Sequence, residues 1–154
     1  MAKVITLDVR RRARMVALQA LFARDIRGDL AASVLDWIIE EEPLPVAAAD
    51  FSGSLLRGVM QHRSFLDAVI ARYAPAWPVP LLAIVDRNIL RIALFELLCQ
   101  QNTPPKTAVN EAVEVAKVFG SESSARFVNG VLGTVMSALE SGELAPFQPV
   151  SEGR

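Results

Sequence analysis

Clusters of proline and glycine divide this chain, and each stretch between them repeats its apolar residues at the spacing of a helix. The breaks are Gly28-Asp29, Pro43 to Pro45, Pro75 to Pro80, Pro104-Pro105 and Gly120-Ser121. Proline lacks the amide that a helix interior needs and glycine tolerates left-handed backbone, so such pairs end helices rather than continue them. The spacing predicts helices over about 9–27, 30–42, 48–74, 81–102, 106–119 and 122–141, with a short extra one near 80–85. Only VITLDV (4–9) alternates like a strand, and a single strand has nothing to pair with. The expected fold class is all-α, two small packed bundles of about six to seven helices over roughly 9–74 and 81–141, within one domain spanning 1–154. PAWPVP (75–80) is the natural seam, with Trp77 expected to plug the junction, although an aromatic in a proline-rich connector can also be a binding residue. Residues 142–154 are expected to form a flexible tail.

Such a chain can close a core without metal or disulfide. At 154 residues it can bury roughly 68–70% of its unfolded surface. Its 52% hydrophobic and 21% charged residues place it among globular rather than disordered sequences. The lone cysteine, Cys99, excludes an internal disulfide, and a reducing cytoplasm is the simplest setting. No basic-then-apolar leader opens the chain and no apolar run nears ~18 residues, so a soluble cytoplasmic protein with no membrane role is expected.

The charge is unevenly spread. Residues 1–27 hold seven Lys and Arg against Asp8 and Asp25, a net of +5 in a chain whose total is −1. Four of them crowd into RRRAR, as Arg10, Arg11, Arg12 and Arg14. Guanidiniums this close repel one another, which points to an anionic partner. A solvated helix face is the plainer alternative. At about 100° per residue, Arg11, Arg14, Leu18 and Phe22 share one side of the helix, opposite Ala13, Val16, Ala17 and Ala20. If the alanine side packs inward, an aromatic ring stands beside arginines, as single-stranded nucleic acid requires. Leu18, Leu21 and Phe22 can equally be core, so this helix alone does not decide.

The second half is more specific. DRNILRIALFEL (86–97) and PKTAVNEAVEVAKVFGSESSARFVNGVLG (105–133), together with RRRARMVALQALF at the front, resemble the NusB family of bacterial transcription antitermination factors. The likeness runs from about Arg10 to Leu139 and is weakest over 28–84. It implies an all-helical fold of two bundles and a protein that binds single-stranded boxA-type RNA in nascent ribosomal transcripts. The implied partners are the ribosomal protein NusE and the RNA polymerase elongation complex with other Nus factors. Family members also form homodimers, and this sequence does not say whether it does.

Carried over by position, Arg10, Arg11 and Arg14 match the family's RNA-contacting arginines, and Phe22 matches an aromatic that stacks on RNA, often tyrosine. Arg126 stands where lysine is common, and Phe127 is the adjacent ring. Ser123 falls where several members have aspartate close to the RNA; losing that carboxylate removes a repulsion, so binding undiminished or somewhat tighter is expected. Lys106 also matches a family lysine. Phenylalanine at 22 keeps stacking but lacks the hydroxyl.

Physical reading of the same residues adds two points. Asn129-Gly130 normally signals a hairpin, yet Val128, Val131, Leu132, Val135 and Leu139 carry helical spacing through it. Glycine inside a helix costs ~1 kcal/mol relative to alanine, and close approach by a neighbouring helix or a ligand is the expected compensation. The GSESS corner suits a helix end at Gly120 and a cap at Ser121 or Ser123, where the first amides and Arg126 form a second anion-attracting spot.

Catalysis is the first rival and finds little support. One histidine, His62, and one cysteine supply neither a metal cluster nor a nucleophile–base pair, Glu111 and Glu114 read as solvated helix carboxylates, and there is no glycine-rich phosphate loop. Neither cofactor nor metal is expected. A protein-only helical adaptor, using RRRAR against an acidic protein, is the second rival; salt dependence and competition by RNA separate it from the RNA reading.

Overall fold

The computed structural model describes residues 2–74 and 76–148, with the backbone alone over 2–8. They form α1 (Ala2–Arg27), α2 (Ala31–Glu41), α3 (Val46–Gln61), α4 (Arg63–Tyr73), α5 (Ile84–Phe95), α6 (Pro105–Phe119) and α7 (Ser124–Ser141), and no strand. The alternating stretch at 4–9 is taken up into α1, as a lone strand without a ladder must be.

Most breaks fall where proline and glycine stand. Gly28 ends α1 in the left-handed region at φ 72°, and Gly142 does the same for α7 at φ 82°. Pro105 opens α6, its missing amide one that would have had no helical partner. Gly120 is required by space: a Cβ there would collide with the Ser124 side chain, whose Oγ accepts the Ser121 amide at 2.9 Å. The segment expected as one helix over 48–74 is two. His62 leaves helical geometry at φ −106°, ψ 16°, and its ring sits over Phe95 and edge-on to Phe147, at 5.7 and 4.8 Å between centroids. That break has no proline or glycine to announce it. The C-terminal end of α5 runs on as a π turn over Glu96–Gln100 and stops at Gln101, φ 57°.

α5 is the hub. It packs against α1, α3, α4, α6 and α7, and every residue from Asn88 to Phe95 is buried. Burying a run that includes Asn88 and Arg91 requires partners for each. Arg91 donates to both oxygens of Asp67 on α4, at 2.7 and 3.0 Å, and to Asp25 on α1 at 3.1 Å. Asn88 and Arg87 also donate to Asp25, and Arg63 of α4 lies 3.8 Å from it, so three helices meet at one carboxylate.

Two expectations fail here. Trp77 does not plug the seam: its side chain is 63% exposed, and the smaller Val79 and Leu82 of the same connector turn inward instead. The tail is docked over its described part. Leu144 is buried, the Phe147 amide donates to Leu98 O at 2.8 Å, and its ring packs on Phe65 and His62. Residues 149–154 lie outside the described residues.

Candidate nucleic-acid interface

The arginine-rich helix is enclosed on both flanks. α2 and α3 cover one side of α1, α5 and α6 the other, and Ala13, Ala17 and Ala20 are fully buried, as are Leu18 and Leu21 on the opposite side. The wheel left open whether the alanine side or the Leu18–Leu21 side is core; neighbours on both flanks bury both, and Arg14 with them.

The four arginines therefore divide. Arg14 is 3% exposed and donates through Nε and Nη2 to the two oxygens of Glu96, both at 2.9 Å, while Thr103 Oγ1 donates to the same carboxylate at 2.8 Å. Such a pair is stable only with its geometry and remaining hydrogen bonds complete, and this one has them. Arg11 makes the same two-pronged contact with Glu111 on α6, at 2.8 and 2.9 Å, with its side chain 34% exposed. The guanidinium of Arg10 lies 4.5 Å from the Phe51 ring, and Arg12 reaches Pro43 O only at 3.5 Å. In this geometry Arg14 braces α1 against the π turn, Arg11 stands at the edge of the surface, and Arg10 and Arg12 form its outer rim.

Phe22 is half-buried. With Leu18, Gln19, Val85 and Phe119 it lines an apolar cavity of about 370 Å³ between α1, α5 and α6. Ser123, Arg126 and Phe127 line a second, more open groove of about 710 Å³ with Trp77, Leu81, Leu82, Ala83 and Asp86. Val85 and Asp86 are consecutive, so cavity and groove flank the same turn of α5. Arg126 is exposed and has no ion-pair partner among the described residues. Asp86 also sets a carboxylate in this groove, one oxygen of which is buried with no hydrogen-bond partner among the described residues. Beyond Phe127 the groove continues along α7 past Gly130 and Thr134. A Cβ built on Gly130 meets nothing within 4 Å, so no neighbouring helix explains that glycine. Of the expected residues, then, Phe22 joins one depression and Ser123, Arg126 and Phe127 the next, while Arg14 is separated from both by burial. Lys106 is exposed at the start of α6.

Sequence reasoning missed the role of Val85 and Leu81 and quoted Phe119 only as part of a motif. Among the described residues no group of three or more His, Cys, Asp and Glu side chains is placed to hold a metal, and no helix is long and apolar enough to cross a membrane.

The family model described as NusB family matches residues 11–137. The transcription antitermination protein NusB of Dehalococcoides mccartyi is 46% identical over 130 residues, 84% of this chain and 91% of that protein. Among solved structures, T. maritima NusB superposes with a TM-score of 0.77 at 34% identity, covering 88% of this chain and 97% of that one. A structure of the antitermination factors NusB and NusE in complex with dsRNA gives a TM-score of 0.77 at 26% identity, covering 85% and 98%.

Proposed function

The chain belongs to the NusB family, and we propose that it is a transcription antitermination factor that binds single-stranded boxA-type RNA of nascent ribosomal transcripts together with NusE, within the RNA polymerase elongation complex. The observation that carries this reading is the pairing of an aromatic-lined cavity with a groove that presents the exposed Arg126 beside Phe127, across one turn of α5. The cavity between Phe22 and Phe119 offers a ring and a dry wall to an unstacked base, an interaction worth ~1–3 kcal/mol per base. Arg126 meets a phosphate beside the cavity and Arg10 another from the rim of α1, Phe127 and the exposed Trp77 supply further rings, and Ser123, unlike Asp86 in the same groove, adds no opposing charge. Arg11 contacts RNA from the edge while Glu111 holds its guanidinium, and Arg14 acts by keeping α1 in place.

A half-sunk base seat needs a base free of its stack, so single strands are preferred over duplex. The open face of Gly130 lets a sugar–phosphate backbone lie close against α7. The test is competition: unlabelled single-stranded boxA-type RNA should displace a labelled probe far more effectively than the same sequence in a duplex. Arg126→Ala should weaken binding without lowering the melting temperature, and Phe127→Ala, whose ring also packs on the core, should weaken binding in protein that remains folded. Equal displacement by duplex, or full binding by both variants, would contradict the reading.

A further inference from the structure

The RNA reading leaves unused the helix on the far side of α1. α2 packs chiefly on α1 and α3, burying Ala31 and Leu35, and turns its opposite face to solvent. Two large apolar side chains stand on that face: Leu30, at its N-terminal edge, is 73% exposed and Trp37 63%. With Val34 and Arg27 they line a groove of about 550 Å³. A leucine and an indole left together in water are unusual for a surface that meets nothing, and tryptophan is among the side chains that most often anchor protein interfaces.

Charge says what covers the groove. From Gly28 to Leu56 the chain has no Lys or Arg and six Asp and Glu. Asp36 and Glu40 flank Trp37 on one side of α2 and Glu41 lies on the other; all three are exposed and pair with no described basic residue. This rim repels nucleic acid and anionic membranes alike and complements a cationic polypeptide. We infer that the α2 face is a docking site for a lysine- or arginine-rich segment of a protein partner, one carrying a large apolar side chain that packs on Trp37 and Leu30. The site lies across α1 from the aromatic cavity, so RNA and this partner occupy the protein at the same time.

The test uses the full chain and a short fluorescein-labelled amphipathic helical peptide of leucine and lysine, with a leucine–glutamate peptide of the same spacing as control. The lysine peptide should bind. Trp37→Ala and Leu30→Ala should each weaken it about tenfold or more, a loss typical of an interface anchor. Asp36→Lys with Glu40→Lys should weaken it further and flatten its salt dependence. In a Trp77→Phe background Trp37 is the only tryptophan, and its emission should shift to the blue on binding. RNA binding by the α2 variants should equal that of the parent chain. The inference is overturned if the glutamate peptide binds equally, if Trp37→Ala leaves affinity unchanged, or if RNA displaces the peptide. It is also overturned if the chain self-associates and Trp37→Ala abolishes that association, since a second copy would then be the occupant.

Discussion

Removing the Arg14 side chain would leave the Glu96 carboxylate, 1% exposed, with Thr103 as its remaining hydrogen-bond partner. Breaking one partner of a buried pair costs about 3–5 kcal/mol. Arg14→Ala should therefore show as a large drop in the urea midpoint. Arg10→Ala should barely move it, since a half-exposed cation over the Phe51 ring contributes ~0.5–1 kcal/mol. On RNA the order reverses. Arg10→Ala should lower the salt slope of binding by ~0.7, one phosphate contact on a single strand, and folded Arg14→Ala should keep the parent slope. Phe22→Ala should lose ~1–3 kcal/mol of RNA affinity with the slope unchanged, because a stacking ring carries no charge. An unchanged slope in Arg10→Ala, read by titration at several salt concentrations, would remove that arginine from the interface. The one-letter string RRRAR could not separate these roles. Arg14 was legible as belonging to this helix, but the carboxylate that claims it sits on a π turn far along the chain.

At the scale of the element, the C-terminal end of α1 and the ends of α2, α6 and α7 were legible because glycine and proline act locally, through φ and the missing amide. The break at His62 was not, since its ring packs tilted on Phe95 and edge-on to Phe147, residues of α5 and of the tail. The same long-range logic hid Trp77, whose exposure depends on how its connector turns rather than on its own apolarity. Gly130 offers a sharp element-scale prediction. It is exposed in the middle of α7 with open space where a Cβ would go. Gly130→Ala should raise stability by ~0.5–1 kcal/mol through helix propensity while weakening RNA binding by crowding the backbone that passes there. Calorimetry and an RNA titration of one variant check both halves. A stabilised protein with undiminished RNA binding would move the RNA path off α7.

For the molecule as a whole, the Asp25 clamp sets an acid limit. Burial pushes its carboxyl up, but the Asn88 amide and the charges of Arg91 and Arg87 outweigh that and hold it below the ordinary 3.8. The unfolded chain thus takes up this proton more readily than the folded one. The clamp's contribution is full above the ordinary value and drains away as pH falls through the range beneath it. Urea midpoints between about pH 5 and about pH 3 should fall more steeply for the parent than for Asp25→Asn, and parallel curves would contradict the assignment. The all-helical class and the family block were readable from helical periodicity and contiguous motifs. The way three helices converge on Asp25, and the way cavity and groove meet at Val85–Asp86, depend on packing between segments distant in sequence.

The measurement that bears most directly on the central claim is fluorescence anisotropy of a labelled boxA-type RNA and a scrambled strand of equal composition, with and without NusE, over a series of salt concentrations. The account predicts tighter binding to the boxA-type strand, a further gain when NusE is present, and retention of part of that preference as salt rises, since stacking in the Phe22 cavity is not screened. Equal, weak binding to both strands that vanishes with salt and ignores NusE would contradict it, leaving a basic rim without a recognition site.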